Sequence, residues 1–117
     1  MTPLERARPW IIAAIGDDRP LLTFESVSED ILSGKSRLWY GPNSALVTGI
    51  VEAPSGERII DAYLAGGDMK EIIEGAQHIE AWAREAGFTQ SIVSGRPGWG
   101  RALTGYAHFQ TQYRKVF

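Results

Sequence analysis

Asp68-Met-Lys-Glu-Ile-Ile-Glu-Gly-Ala-Gln-His-Ile-Glu-Ala-Trp-Ala-Arg-Glu-Ala86, followed by Gly87-Phe88, is the stretch on which the fold turns. Ile72, Ala76, Ile79, Ala83 and Ala86 recur at steps of four, three, four and three residues, the period of an amphipathic helix with one apolar stripe. Asp68 stands three residues before Glu71, the spacing of a cap pair. Gly87 and Phe88 fit a left-handed stop with an apolar residue folded back on the last turn. Both ends of the helix are therefore encoded. A helix of this length between two strands is a crossover, and it predicts that those strands lie parallel.

Working upstream, Ser36–Tyr40, Ser44–Glu52 and Glu57–Ala65 read as strands, separated by the turn sequences Gly41-Pro42-Asn43 and Pro54-Ser55-Gly56. The last two strands form a hairpin. Both parities of Ala45–Val51 and of Ile59–Leu64 are largely apolar, which predicts helices over both faces of the sheet. Further upstream, Ala7, Trp10, Ile11, Ala14 and Ile15 have helical spacing, with Pro9 either starting that helix or kinking it. Ser26 and Glu29 have the spacing of a capping box opening a second helix that ends near Gly34. Downstream, Thr89–Ser94 reads as a strand, Gly95–Leu103 as a loop entering a short helix, and Tyr106–Phe117 as terminal β structure. The fold class is thus α/β (α+β), one domain over residues 1–117. Its order is α-α-β-β-β-α-β-α-β, with a mixed, mostly antiparallel sheet flanked by helices on both faces.

Composition narrows function by exclusion. The 117 residues contain no Cys, so thiol nucleophiles, cysteine zinc sites and iron–sulfur clusters are excluded. Twelve Lys and Arg against fourteen Asp and Glu give a net charge of −2, which supplies no general drive toward nucleic acid or an anionic membrane. The absence of a signal-peptide pattern and of any apolar run of membrane-spanning length predicts an intracellular protein. His78 and His108 stand far apart without carboxylates at a recognised ligand spacing, and no metal site is expected. Ser94 lies in Val-Ser-Gly, which lacks the Gly-x-Ser-x-Gly pattern of a hydrolase elbow.

The element order resembles the GNAT (Gcn5-related N-acetyltransferase) fold. The segments Leu64-Ala-Gly-Gly-Asp68, Glu80-Ala-Trp-Ala-Arg-Glu-Ala-Gly-Phe88, Gly95-Arg-Pro-Gly-Trp99 and Arg101-Ala-Leu-Thr-Gly-Tyr106 are similar to small GNAT-like proteins of tailed phages, prophages and gene-transfer-agent clusters. The resemblance covers about residues 4–117. It implies a GNAT-shaped domain whose members mostly have no assigned activity. It also implies phage or virion proteins as partners, with a homo-oligomer left open, and residence in the bacterial cytoplasm or the virion.

By the same resemblance, GNAT enzymes bind the acetyl-CoA pyrophosphate with an Arg/Gln-x-x-Gly-x-Gly/Ala loop ahead of the crossover helix. Here Leu64–Lys70 holds that place, and only Gly66 and Gly67 match. Asp68 puts a carboxylate where the phosphate would sit. The resemblance nominates Asp61 or Glu52 as catalytic base and Tyr106 as acid. Arg96, Trp99 and Arg101, in a stretch rich in Gly and Pro, read as a strand-to-helix connection with Pro97 near the helix start and Trp99 capping the core, and compatibly as a contact anchor, since Trp and Arg concentrate binding energy at interfaces. The expected function is therefore a non-catalytic, virion-associated or assembly-related protein without a cofactor. The alternatives are a divergent N-acyltransferase using acetyl-CoA and a nucleic-acid-binding accessory protein.

Overall fold

The computed structural model describes residues 1–16, 21–94, 115 and 117. The first helix, α1 (Pro3–Ile15), starts where Thr2 Oγ1 accepts the Glu5 amide at 3.1 Å and Pro3 fills a first-turn position that needs no N–H. It does not begin near Pro9. The Thr2-Pro3-x-Glu5 start lies further upstream, and Pro9 sits inside the helix. What holds α1 together across Pro9 is burial, with Ala7 and Ile11 at 0% and 2% exposure against the sheet.

The second helix, α2 (Phe24–Ser33), is capped by Thr23, not by Ser26. Thr23 Oγ1 accepts the Ser26 amide and Ser26 Oγ accepts the Thr23 amide, both at 3.0 Å, so Ser26 plays the part expected of Glu29 one turn earlier. Leu22 before the cap and Val27 in the first turn pack in one core cluster, which fixes this frame. The helix ends at Gly34, whose φ of 86° takes the left-handed conformation.

Strands β1 (Ser36–Gly41), β2 (Ser44–Glu52), β3 (Arg58–Gly67) and β4 (Gln90–Val93) form one sheet in the order β1-β2-β3-β4. The first three make an antiparallel meander, and α3 (Met69–Glu85) returns the chain so that β4 runs parallel to β3, from Ile59↔Gln90 to Ala62↔Val93. These are the mixed sheet and crossover expected. Thr48 faces Ala62 and Val47 faces Leu64, leaving Tyr63 as the extra residue of a bulge. The bulge lets consecutive Tyr63 and Leu64 both pack toward α1 and α2.

One core cluster, built on Ala7, Ile11, Val27, Ala45, Val47 and Leu64, lies under α1 and α2. The other, built on Leu46, Ile60, Ile72, Ile79, Ala83 and Phe88, lies under α3. The stop of α3 is a Schellman motif: Phe88 N donates to Ala83 O at 2.9 Å, Gly87 N donates to Arg84 O at 3.2 Å, and Gly87 has φ of 87°. Helices flank both faces, but the cover stops short. Ile50 and Val51, expected inside, are 56% and 45% exposed because the outer end of the β2–β3 hairpin extends past the helices. The described elements, α-α-β-β-β-α-β, match the order implied for the GNAT fold. The helix and β structure expected beyond Ser94 lie outside the described residues, apart from Lys115 and Phe117.

Candidate functional site

Asp68 is the cap of α3, its Oδ2 accepting the Glu71 amide at 3.0 Å. Glu71 does not reach back to complete a reciprocal pair. Its Oε1 instead accepts the Asn43 amide at 3.0 Å and the Ser44 hydroxyl at 2.8 Å, and Asn43 O accepts the Asp68 amide at 2.8 Å. The β1–β2 turn is thereby tied to the first turn of α3. Two carboxylates occupy the helix end where an anion would otherwise be drawn.

The glycines of this junction have structural work to do. A side chain on Gly66 would meet the Trp10 carbonyl of α1, and Gly67, at φ of 106°, lies against the Asn43 carbonyl. Neither backbone atom can swing aside as a side chain could. The loop Gly66-Gly67-Asp68 is therefore a close-packed strand-to-helix turn, as the short Leu64–Lys70 spacing suggests.

A second polar group gathers at the bulge. Asp61 is half-buried on β3, and the Ser94 hydroxyl donates to its Oδ1 at 3.4 Å. Burial raises the Asp61 carboxyl above the ordinary aspartate range, while the Ser94 bond works the other way by favouring the ionised form. Two residues on, Tyr63 shares a 2.6 Å hydrogen bond with Ser36. Burial raises the Tyr63 phenol, the negative charges of Asp30 and Asp61 add to the rise, and the Ser36 bond offsets it. The Tyr63 ring packs over Gly49 of β2, where a Cβ would stand in ordinary contact with it at 3.5 Å.

Of the other nominated residues, Glu52 is exposed at the tip end of β2, away from this group. Tyr106, Arg96, Trp99 and Arg101 lie outside the described residues. His78 is exposed on α3, and among the described residues no cluster of three His, Asp or Glu could hold a metal. Nor is any helix among them long and apolar enough to cross a membrane. Sequence reasoning missed Glu71 as a tie to the hairpin and missed Tyr63 and Ser36 altogether. The bulge that aims Tyr63 leaves no signal in an apolar strand. For Glu71, its partners are 27 and 28 residues away.

In element order, crossover and strand pairing the described chain has the arrangement implied by the resemblance. The fold is GNAT-like. No protein-family model matches the chain, and no curated protein matches it. Among solved structures, the protein TTHA1254 of Thermus thermophilus is similar over 99% of this chain and 96% of its own, with a TM-score of 0.64 at 14% identity. An aminoglycoside acetyltransferase from an uncultured soil metagenomic sample, solved in complex with sisomicin, is similar over 64% of this chain with a TM-score of 0.48 at 16% identity. This chain spans 57% of that enzyme. Likenesses at these identities concern fold and bring no substrate with them.

Proposed function

We propose that this GNAT-like domain works through protein–protein contacts and not by acyl transfer. The observation that carries the reading is the state of the α3 N-terminus, where Asp68 accepts the Glu71 amide, the Glu71 carboxylate holds Asn43 and Ser44 of the β1–β2 turn, and the two supply two negative charges. A pyrophosphate would have to displace a helix cap and break the tie to the β1–β2 turn. The resemblance to small phage and prophage proteins makes a virion or assembly component the first partner class to test, with the protein made in the bacterial cytoplasm.

Calorimetric titration with acetyl-CoA tests the reading. No binding is expected, and dissociation constants in the micromolar range would overturn it. One feature favours the second reading, a divergent N-acyltransferase: the raised carboxyl of Asp61 beside the Tyr63 bulge is suited to accept a proton from an amine nucleophile. That reading requires the same titration to show binding.

A further inference from the structure

On the α3 side of the sheet, three residues of neighbouring strands share one patch. Arg37 of β1 is opposite Thr48 of β2, Ile50 follows Thr48 two residues on and is opposite Ile60 of β3, and Arg58 is two residues before Ile60. Because side chains alternate between faces, Arg37, Ile50 and Arg58 emerge on the same side, with the isoleucine between the arginines. Ile50 is 56% exposed.

Behind this row stands an aromatic wall. The Arg37 guanidinium lies 4.4 Å from the Trp39 ring centroid and 4.9 Å from that of Trp82. Trp82 meets Trp39 edge-on at 5.4 Å and Phe88 at 5.7 Å, and Arg58 lies 4.4 Å over Phe88. Trp39 is held in place by donating Nε1–H to Thr48 Oγ1 at 2.9 Å, and Arg58 donates to the Ala86 carbonyl at 3.3 Å. Both guanidiniums are pre-positioned on ring faces, and among the described residues neither has a carboxylate within 4.0 Å. Among the described residues the one ion pair within 4.0 Å is Arg84–Glu80. Two ordered, exposed cations, neither in an ion pair among the described residues, around an exposed apolar side chain are complementary to negative charge around an apolar one.

Resting on the contact function proposed above, we infer that the Arg37–Ile50–Arg58 patch docks an acidic protein segment in which an apolar side chain is flanked by carboxylates. Neighbouring strands are about 4.8 Å apart, and Arg37 is level with Thr48 whereas Arg58 is level with Glu52, four residues or about 13 Å further along, so the arginine backbones stand about 16 Å from one another. In an extended segment, residues two positions either side of the apolar one are about 13 Å apart, a span that long Arg and Glu side chains close. A polyanion such as DNA or RNA fits less well, because its regularly spaced phosphates offer no apolar side chain for the exposed Ile50 and its many charges gain from only two arginines, one of which has Glu52 opposite it in the strand register.

The test is a titration of the isotope-labelled full chain with the blocked peptide acetyl-Glu-Gly-Leu-Gly-Glu-amide, following the Trp39 and Trp82 indole N–H signals and the Ile50 methyls by NMR. Saturating shifts confined to this patch at millimolar peptide are expected, with the Gln-for-Glu counterpart silent. Arg37→Gln and Arg58→Gln should each weaken binding about fivefold, as for loss of one exposed ion pair. Ile50→Glu, at an exposed position that keeps the fold, should abolish it. No shift with the acidic peptide overturns the inference, as does equal binding of the Gln peptide. Tighter binding of a hexathymidylate, or arginine variants that melt lower but bind unchanged, overturns it as well. Acetyl-CoA titrated into the same samples separates the two ideas: a silent peptide with silent acetyl-CoA removes the docking patch alone, whereas bound acetyl-CoA removes the contact function on which it rests.

Discussion

Glu71→Ala is the sharpest perturbation of the α3 N-terminus. The substitution removes the acceptor for the Ser44 hydroxyl, 2.8 Å away on a residue only 2% exposed, and for the Asn43 amide at 3.0 Å in an exposed turn. Water can replace the carboxylate at Asn43. It cannot readily do so at Ser44, and orphaning a buried hydroxyl costs about 1–3 kcal/mol. Losing the carboxylate from the first turn of a helix adds a few tenths more, which alanine's higher helix propensity roughly cancels. The expected loss is therefore about 2 kcal/mol, or about 8 °C in Tm for a domain of this size. Thermal and urea unfolding followed by circular dichroism measure it, and a double-mutant cycle locates its source. Ser44→Ala removes the orphan, so the Glu71→Ala, Ser44→Ala double variant should be clearly more stable than the sum of the two single losses. Strict additivity, or a Glu71→Ala shift below about 2 °C, would refute the tie between the hairpin and α3.

Three further outcomes are expected. Asp68→Ala should lower stability by about 1 kcal/mol through loss of the helix cap, and Asp68→Asn, which keeps the accepting oxygen, should lose little; denaturant midpoints compare them. Gly66→Ala should cost roughly 1–3 kcal/mol or more, since the added methyl meets the Trp10 backbone carbonyl and α1 would have to lift from β3; the melting temperature reads the loss directly. Asp61 should make stability pH-dependent. Its folded pKa is raised, so its favourable contribution is complete below the unfolded value of about 3.9 and is lost as pH rises through the higher folded value. Asp61→Asn should consequently gain Tm relative to the parent as pH goes from 3 to 7, and a difference that is flat with pH would contradict the burial of that carboxyl.

The features legible in the sequence were those whose cause is local. The apolar stripe Ile72, Ala76, Ile79 and Ala83, the Asp68 cap and the Gly87-Phe88 stop each depend on neighbours within a turn, and each appears where its spacing placed it. The starts of α1 and α2 are local too, but two signals competed there. Pro9 is one boundary signal and Thr2, Pro3 and Glu5 form a stronger one, and Ser26 has both a partner ahead in Glu29 and one behind in Thr23. In the second case packing of Leu22 and Val27 in one cluster decided the frame, a tertiary term that spacing alone does not contain.

The site features failed to show for a related reason. A carboxylate at the third position of a helix has two uses, to close its own cap or to hold something else, and the choice at Glu71 is made by Asn43 and Ser44 arriving from the opposite end of the meander. Likewise Arg37, Ile50 and Arg58 come together only through strand register, and their aromatic backing only through the path of α3. The same junction that closes the helix end to a phosphate also anchors α3 over the sheet, and thereby brings Trp82 and Phe88 beneath the two arginines. Weakening it by Glu71→Ala should therefore perturb the Trp82 indole signal at the far end of the helix less than the Asn43 and Ser44 amides beside it, because Ile72, Ala76, Ile79 and Ala83 hold the rest of α3 down independently of its first turn.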